Sequence, residues 1–337
     1  MKILIVASNM VHIKNFHLPY IEEFKKQGHN VSVLASGEGA DFDIPFKKKA
    51  LCLKNLSLVP KIKKILKRES FDAIYLHTTL AAFYVRLALK GMKKRPYVIN
   101  TVHGYLFSSN EKGLIKRVYL WCEKFLKNQT DDIVVMNEED LKIATESALC
   151  KNKIYKINGM GTTLHGSFLP KETSSTQRLT FVGEISKRKN QELLVRALPY
   201  LPNATLILVG DGGERKSVEA LARKLGVENR LEITGFTKNV ASYLEKTDIY
   251  VSASKIEGLP FNIIEAMSYG LPIVASDVKG HVDLLPSESL FESNCVDSLV
   301  NAIGKAAHYE YDVQKYTLNS VLPYNMEIYL SALNKGV

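Results

Sequence analysis

Two glutamates, Glu257 and Glu265, stand eight positions apart in the stretch IEGLPFNIIEAMSYG, residues 256–270. Carboxylates accept hydrogen bonds from sugar hydroxyls, whereas they repel phosphates. The Gly-Leu-Pro turn and the apolar run predict a loop and then a helix that starts near Pro260 and stops at Gly270. Glu257 therefore precedes the helix, and Glu265 lies more than one turn inside it.

The start of this predicted helix has the properties of a diphosphate site. The backbone N–H groups of residues 258–261 have no helical partners, and the helix dipole adds partial positive charge there. With the two glutamates they could hold a sugar, a diphosphate and a ribose in order. Alternatively, Glu257 caps the helix and Glu265 pairs with a nearby base. The spacing leaves both interpretations open.

The elements around this stretch are short apolar strands that alternate with helical segments. The predicted strands are KILIVA, NVSVLA, DAIYLH, YVINTVHG, DIVVMN and KIYKIN, then LTFVGE, TLILVGD, LEITGF, DIYVSAS and PIVASD. Such runs are typical of parallel sheets covered by helices on both faces. The sequence therefore predicts two Rossmann-like, doubly wound α/β domains that face each other across a cleft, with ligands at the carboxyl ends of the strands.

A chain of 337 residues is long enough for two domains of about 150 residues each. The polar, proline-containing stretch 169–178 separates the two series of strands and is the predicted junction. We expect a first domain over residues 1–170, a second over 171–309, and C-terminal helices over 310–337 that cross back to the first domain.

The excess of basic residues is confined to the first half. Residues 1–170 contain 27 Lys and Arg against 15 Asp and Glu, and residues 171–337 contain 18 against 20. The basic clusters lie at 47–49, 61–68, 90–95 and 112–117. Apolar residues are interleaved with them, a pattern that is typical of proteins that bind anionic membrane surfaces. A surface that only keeps the chain soluble remains the alternative. Nucleic acid is not expected, because no aromatic–basic platform is present.

The sequence also bears on the compartment. No apolar run approaches the roughly 20 residues that a membrane span needs, and the start MKILIVASNM lacks the features of a signal peptide. The four cysteines are scattered, which favours reduced thiols; they are Cys52, Cys122, Cys150 and Cys295. We expect a cytoplasmic protein that is peripheral at the inner face of the cell membrane.

The stretch EGLPFNIIEAMSYGLPIVAS resembles the E-x7-E signature of retaining glycosyltransferase family 4. Four further segments follow in the family's order and spacing, and INTVHGYLF (99–107) in the first half is also similar; the four are 181–198, 208–215, 233–240 and 248–254. Within the family the likeness is to bacterial capsule, exopolysaccharide and O-antigen assembly enzymes. The resemblance implies the GT-B fold, with an acceptor-binding first domain and a nucleotide-sugar-binding second domain.

The resemblance implies transfer of a sugar from a nucleotide-diphosphate sugar, with a UDP-sugar favoured, to a hydroxyl of a glycan acceptor. The anomeric configuration would be retained, and the acceptor would be a glycan or a polyprenyl-diphosphate-linked sugar in surface polysaccharide biosynthesis. No cofactor and no metal is expected. The D-x-D at residues 41–43 is interpreted as a turn, and no His, Cys or carboxylate cluster has metal-binding spacing in the sequence.

The resemblance further implies a set of donor-binding positions in the second domain: Gly183, Lys189, Gly235, Phe236, Glu257, Gly258, Leu259, Phe261 and Glu265. Lys189 would neutralise the diphosphate and Glu257 would contact the donor sugar, so these two are candidate catalytic residues. Glu265 would bind the ribose hydroxyls, and Gly235 and Phe236 would lie against the base.

In the first domain, the resemblance implies that His103 is a third catalytic residue, which faces the transferred sugar. His12 and His17 lie in the loop after the first strand and are candidate acceptor contacts. A lone histidine after a strand is more often a structural residue, so the assignment of His103 depends on its register within the family pattern.

Two features depart from the family pattern. Glu184 stands where many members have an arginine on the diphosphate, so Lys187 or Arg188 is expected to supply that charge. The glycine-rich loop after the first strand is replaced by SNMVHIKNFHLP. Two alternatives therefore stay open: a non-catalytic GT-B subunit of a partner transferase, and a nucleotide-sugar 2-epimerase. A dehydrogenase is disfavoured, because no G-x-G-x-x-G follows the first strand.

Overall fold

The structure is a computed structural model that describes residues 1–47, 53–164, 166 and 176–333. The chain divides into two compact units, Met1–Thr162 with Tyr316–Val337 and Thr163–Lys315. The divisions predicted from the sequence are at 170/171 and 309/310. Most of the predicted junction, residues 169–175, lies outside the described residues.

The first unit is built on a parallel seven-stranded sheet in the order β3-β2-β1-β4-β5-β6-β7. Its strands are β1 (Lys2–Val6), β2 (Asn30–Ala35), β3 (Phe42–Asp43), β4 (Ala73–His77), β5 (Tyr97–Thr101), β6 (Asp132–Val135) and β7 (Ile154–Lys156). Every residue of β4, β5 and β6 is buried. Burial on both faces explains why these strands have continuous apolar runs without polar alternation.

Helices cover this sheet. They are α1 (Met10–Phe16), α2 (Leu18–Lys26), α3 (Leu53–Leu56), α4 (Leu58–Glu69), α5 (Thr79–Leu89), α6 (Leu114–Leu126), α7 (Glu138–Glu146) and α13 (Leu318–Leu333), with 3-10 turns at Lys127–Gln129 and Gln314–Tyr316. The C-terminal segment was predicted to be helical from about residue 310, but its α-helix begins at Leu318. Helix α13 packs against the central sheet, where the Tyr75 hydroxyl donates to the carbonyl oxygen of Tyr329 at 2.8 Å.

The second unit has a parallel six-stranded sheet in the order β10-β9-β8-β11-β12-β13. Its strands are β8 (Gln177–Val182), β9 (Ala204–Val209), β10 (Leu231–Gly235), β11 (Ile249–Ser252), β12 (Ile273–Ser276) and β13 (Leu290–Phe291). Its helices are α8 (Gln191–Ala197), α9 (Arg215–Lys224), α10 (Ala241–Leu244), α11 (Phe261–Ser268) and α12 (Val296–Gly304), with 3-10 turns at Leu198–Tyr200, Glu228–Arg230 and Ser287–Ser289. An apolar core joins α8, α9 and α12 to the sheet.

All eleven predicted strands are present, and two short edge strands, β3 and β13, were not predicted. The interpretation of residues 41–43 as a turn is wrong at Phe42 and Asp43, which pair with β2. The Asp41 carboxylate accepts a hydrogen bond from the backbone amide of Val33 at 2.7 Å, and the Asp43 carboxylate accepts one from the backbone amide of Gly37 at 3.0 Å. Both carboxylates therefore fasten the edge of the sheet.

Each sheet has a point at which the strand order reverses. These points lie between β1 and β4 in the first unit and between β8 and β11 in the second. Loops that leave the carboxyl ends of two such strands diverge to opposite sides and leave a crevice, which is where open α/β sheets bind ligands. We therefore expect ligand-binding residues in the loops after β1, β4, β8 and β11.

A buried ion pair fastens helix α6 to the first unit. Arg86, which is 0% exposed, donates through both terminal nitrogens to the two carboxylate oxygens of Glu123, each at 2.7 Å. Arg86 also donates to the Ala82 carbonyl oxygen at 3.2 Å. The pair satisfies a guanidinium that would otherwise be buried without a counter-charge.

Replacement of Glu123 by Ala is expected to lower the free energy of unfolding by about 3–5 kcal/mol, because it leaves Arg86 buried and unpaired. Chemical denaturation of the two proteins measures this difference. The control is Glu146→Ala, which removes an exposed pair with Lys142 at 4.0 Å and should change stability by less than about 0.5 kcal/mol. Equal effects of the two substitutions would contradict the anchoring role.

Candidate functional site

Lys189 and Glu257 form a buried ion pair in the second unit. The Nζ atom of Lys189 lies 2.5 Å from Oε1 of Glu257, and the two residues are 9% and 8% exposed. Arg188 donates through Nη1 to Oε2 of Glu257 at 3.0 Å and to the carbonyl oxygen of Ile256 at 3.2 Å. Two cations thus hold one carboxylate at the reversal point between β8 and β11.

The charges of this cluster determine its protonation. Burial alone raises the pKa of the Glu257 carboxyl, but the charges of Lys189 and Arg188 outweigh burial and leave that pKa below its ordinary value. Burial lowers the pKa of Lys189, and the charge of Glu257 opposes this shift. Glu257 is therefore an ionised hydrogen-bond acceptor and is poorly suited to take a proton as a general base.

Glycines let two neighbouring loops approach each other backbone to backbone. The amide of Gly183, just after β8, donates to the carbonyl oxygen of Val209 at 2.9 Å. A Cβ atom on Gly210 would lie 2.1 Å from the carbonyl oxygen of Gly183, and one on Gly212 would lie 2.1 Å from that of Ile185. Only glycine fits at positions 210 and 212, so both loops are held in one arrangement.

A third loop packs on the residues around Glu257. A Cβ atom on Gly280 would lie 2.7 Å from the carbonyl oxygen of Gly258 and 3.0 Å from the Cβ atom of Glu257. His281 is fully buried beside it, with Nδ1 2.8 Å from the carbonyl oxygen of Ser276. Sequence reasoning missed Gly280, although a glycine that soon follows a buried strand is a signal of close backbone approach.

Helix α11 carries Glu265 and is tied to the same edge of the sheet. The side-chain amide of Asn262 donates to the carbonyl oxygen of Val182 at 2.9 Å and to the hydroxyl oxygen of Tyr250 at 2.8 Å. Glu265 is half-buried one turn further on. Burial is the main cause that raises the pKa of Tyr250, and the charge of Glu265 adds to it. Asn262 was not predicted as a positioning residue.

The remaining donor-binding candidates lie in three places. Gly258 and Leu259 are buried in the loop before α11, and Phe261 is the first, half-buried residue of that helix. Gly235 ends β10 with φ +73°, in the left-handed region that glycine favours. Phe236 follows it with its side chain 84% exposed, so its ring is available to a planar partner.

The two further candidate cations differ in their surroundings. Arg188 contacts Glu257, as described above. Lys187 is exposed and lines a cavity of about 190 Å³, together with Glu192 and Lys255. Glu184 is also exposed, and its backbone oxygen accepts from the side-chain amide of Gln191 at 2.9 Å. The geometry therefore favours Arg188 over Lys187 as the second cation beside Lys189.

The first unit brings four histidines together at the carboxyl ends of its central strands. The ring centroid of His12 lies 5.0 Å from that of His17 and 4.9 Å from that of His103. His77, the last residue of β4, lies with its ring centroid 3.8 Å from that of His17. Sequence reasoning missed His77, although the predicted strand DAIYLH ends with it.

Burial keeps these imidazoles neutral near pH 7. It lowers the pKa of His12 to about 4 and that of His103 to about 3. Burial is also the main cause that holds the pKa values of His17 and His77 well below the ordinary value, and charge repulsion from the neighbouring histidines adds to it. The sequence spacing gave no sign of the cluster, because the four residues converge only in the fold.

Two family models match the chain. The model described as Glycosyltransferase Family 4 matches residues 20–157, and the model described as Glycosyl transferases group 1 matches residues 170–317. The two matches fall on the first and second sheets, respectively.

None of the helices in the part of the chain that the structure describes combines the length and hydrophobicity of a bilayer-crossing segment.

Two curated relatives match most of the chain. EpsD of Bacillus subtilis (strain 168), which is assigned as a glycosyltransferase, is 29% identical over 308 residues, 84% of this chain and 81% of the relative. An Escherichia coli protein named UDP-Gal:alpha-D-GlcNAc-diphosphoundecaprenol alpha-1,3-galactosyltransferase is 29% identical over 280 residues, 75% and 72% of the two chains.

Two solved structures share the fold along nearly the whole chain. Anabaena HepE in complex with UDP-glucose superposes with a TM-score of 0.75 at 19% identity, covering 98% of this chain and 100% of that one. Sucrose-phosphate synthase from Thermosynechococcus elongatus superposes with a TM-score of 0.77 at 18% identity, covering 99% and 100%. These similarities show the two-sheet GT-B architecture.

Replacement of Gly210 by Ala is expected to destabilise the second unit by about 2–4 kcal/mol, because the new Cβ atom meets a backbone oxygen and the residue has φ +148°. Thermal and chemical unfolding measure the loss. Gly213→Ala is the matched control, since a Cβ atom there has nothing within 4 Å. If the Gly210→Ala protein is as stable as the Gly213→Ala protein, the loops that follow β8 and β9 do not approach each other as described.

Proposed function

We propose that this chain, which belongs to the family 4 glycosyltransferases of GT-B fold, transfers a sugar from a UDP-sugar to a hydroxyl of a lipid-linked glycan acceptor. The transfer retains the anomeric configuration and serves bacterial surface polysaccharide biosynthesis. The observation that carries the proposal is the buried Lys189–Glu257 pair with Arg188 beside it. It supplies both of the functions that a nucleotide sugar requires, positive charge for the diphosphate and a carboxylate for hydroxyls.

The diphosphate becomes more negative as the bond to the sugar breaks. Lys189, Arg188 and the start of α11 provide positive charge where that charge develops, in a partly desolvated place where it acts strongly. Lys189 meets the departing diphosphate, and Glu257 then stays paired with Arg188. No metal is required for this step in the proposed mechanism, because the protein itself supplies the cations.

The low pKa of Glu257 supports a retaining mechanism without a protein base. A carboxylate held by two cations accepts hydrogen bonds from donor-sugar hydroxyls more readily than it accepts a proton. The acceptor hydroxyl then attacks the face from which the diphosphate leaves, and a phosphate oxygen takes the proton. Glu265 binds the ribose hydroxyls, and Phe236 offers its exposed ring to the base. Catalysis therefore rests on charge stabilisation and alignment.

The choice of donor and acceptor draws on the relatives. HepE is titled as a complex with UDP-glucose, and the Escherichia coli relative is named for transfer from UDP-Gal to a GlcNAc-diphosphoundecaprenol. Both names contain a UDP-sugar, and the second contains an acceptor linked to a polyprenyl diphosphate. His12 and His17, at the ligand edge of the first sheet, are the residues that we assign to the acceptor, and His103 beside them is the residue that we assign to the transferred sugar.

Helix α6 carries the surface that we assign to the membrane. Its exposed apolar side chains are 37–73% exposed and recur at helical spacing along one stripe; they are Leu114, Ile115, Val118, Trp121 and Phe125. Trp121 and Phe125 stack with their ring centroids 5.2 Å apart. Arg117 and Lys124 are exposed on the same helix, and Lys90 lies over the Phe125 ring at 3.2 Å. Apolar and basic groups on one helix suit an anionic bilayer surface.

Lys189→Ala and Glu265→Ala are each expected to lower turnover by about 100-fold or more, the scale of one lost electrostatic contact in a transition state. A coupled assay that measures UDP release in the presence of acceptor gives the rates. Lys224→Ala, an exposed lysine on α9, is the control and should keep the parental rate. Near-normal rates in both site variants would refute the assignment.

A thermal-shift screen of the purified protein against nucleotide sugars tests the reaction class. We expect stabilisation by a UDP-sugar, followed by transfer whose product retains the anomeric configuration by NMR. Release of an epimerised nucleotide sugar without acceptor would support the epimerase instead. No stabilisation and no transfer until a partner protein is added would support the non-catalytic subunit.

The double variant Leu114→Ser/Trp121→Ser is expected to bind liposomes containing anionic lipid at least about tenfold more weakly than the parental protein, because each apolar side chain contributes about 1.5–3 kcal/mol on burial. Sedimentation with liposomes measures binding, which should also weaken as salt rises. Tyr200→Ser, which removes a 65% exposed aromatic ring from the second unit, is the control. Failure of the parental protein to bind would remove the membrane claim.

A further inference from the structure

Three of the clustered histidines bring ring nitrogens close to one another. One nitrogen each from His12, His17 and His103 lies within 4.8 Å of the other two. His12 Nε2, His103 Nε2 and both ring nitrogens of His17 are buried without a hydrogen-bond partner. The adjacent His77 likewise has its Nδ1 atom buried without a partner. Buried side-chain nitrogens are normally hydrogen-bonded, so four residues that share this defect at one point need an explanation.

The three residues come from two segments that the sheet holds in place. His12 lies on α1 and His17 at the junction of α1 and α2, both after β1, and His103 follows β5. The side-chain oxygen of Asn9 caps α1 by accepting a hydrogen bond from the backbone amide of His12 at 2.9 Å, which fixes the start of that helix. Strand β4 pairs with both β1 and β5 and lies between them. The convergence is therefore a consequence of the scaffold and not of a mobile loop.

The fourth histidine forms one wall of the cluster. His77 packs against His17 with an angle of 32° between the ring planes, and its ring centroid lies 6.3 Å from that of Tyr329 on α13. His17 and His77 are 1% and 2% exposed. A shell of this kind restricts the rotamers of the inner imidazoles and excludes water, as metal sites require of their surroundings.

We propose that His12, His17 and His103 bind a divalent transition-metal ion of the Zn²⁺ class, with a fourth coordination position open. Imidazole nitrogen is a preferred ligand of Zn²⁺, and three histidines with an open position are a known ligand set of such ions. Zn–N bonds of about 2.0–2.1 Å place tetrahedral nitrogens about 3.4 Å apart. Rotations of the three side chains that move the nitrogens by about 1 Å reach this spacing from the separation in the structure.

The open position takes an oxygen ligand, such as a phosphate or hydroxyl oxygen, because it lies at the ligand edge of the first sheet. This ion is distinct from the cations that we assign to the donor diphosphate, Lys189 and Arg188. Metal binding can be measured without donor or acceptor, so its outcome does not depend on the proposed transfer reaction.

The test is equilibrium dialysis of the full chain, stripped with chelator, against Co²⁺ and Zn²⁺, with metal content measured by mass spectrometry. We expect one ion per chain and visible Co²⁺ absorption bands of a low-coordinate nitrogen site. His12→Gln and His103→Gln should each lower the affinity at least about tenfold, in keeping with the loss of a ligand. His308→Gln, which alters an exposed histidine of the second unit, should bind like the parental protein.

Thermal unfolding and circular dichroism establish that each variant is folded. Because a variant of a buried residue can fail to fold, anomalous diffraction from a Co²⁺-soaked crystal of the parental protein provides a second measurement that needs no substitution. Density between the three imidazoles supports the proposal. Binding of no ion by the parental protein, equal binding by the His12 and His103 variants, or an ion located elsewhere overturns it. Stabilisation by a UDP-sugar should be the same with and without the metal.

Discussion

The buried contact between Lys189 and Glu257 is the constraint on which the candidate site depends. A carboxylate that is 8% exposed stays ionised only because two cations lie within 3.0 Å of it. The pair joins the loop after β8 to the loop before α11, so it fixes both loops while it stores positive charge at their junction. Loss of Glu257 would leave the buried ammonium of Lys189 without this counter-charge, whereas loss of Lys189 would leave Glu257 paired with Arg188.

The same topological rule places the candidate residues of both units. Each parallel sheet reverses its strand order once, and the residues with unusual chemistry lie at the carboxyl ends of the strands at or next to that reversal; His103, for example, follows β5, the neighbour of β4. In the second unit these residues are charged and form ion pairs with one another. In the first unit they are neutral imidazoles with unsatisfied nitrogens. This contrast in charge is the basis on which we propose different ligands for the two units.

Much of the fold could be predicted because buried parallel strands have continuous apolar runs, and all eleven such runs form strands. The two strands that were missed, β3 and β13, have two residues each, too few for a periodic pattern. Within the site, Glu257 and Lys189 were predicted from a motif, but their ion pair was not, because the residues are 68 positions apart. Gly280, Asn262 and His77 were missed for the same reason: their roles depend on neighbours that only the fold supplies.

A crystal structure of the protein with UDP tests the central claim most directly. The account predicts diphosphate oxygens within about 3 Å of Lys189 Nζ and of a backbone amide near the start of α11, with the ribose hydroxyls on the Glu265 carboxylate. Glu257 should then remain in contact with Arg188. Nucleotide bound elsewhere, with Lys189 still paired to Glu257 alone, would contradict the account.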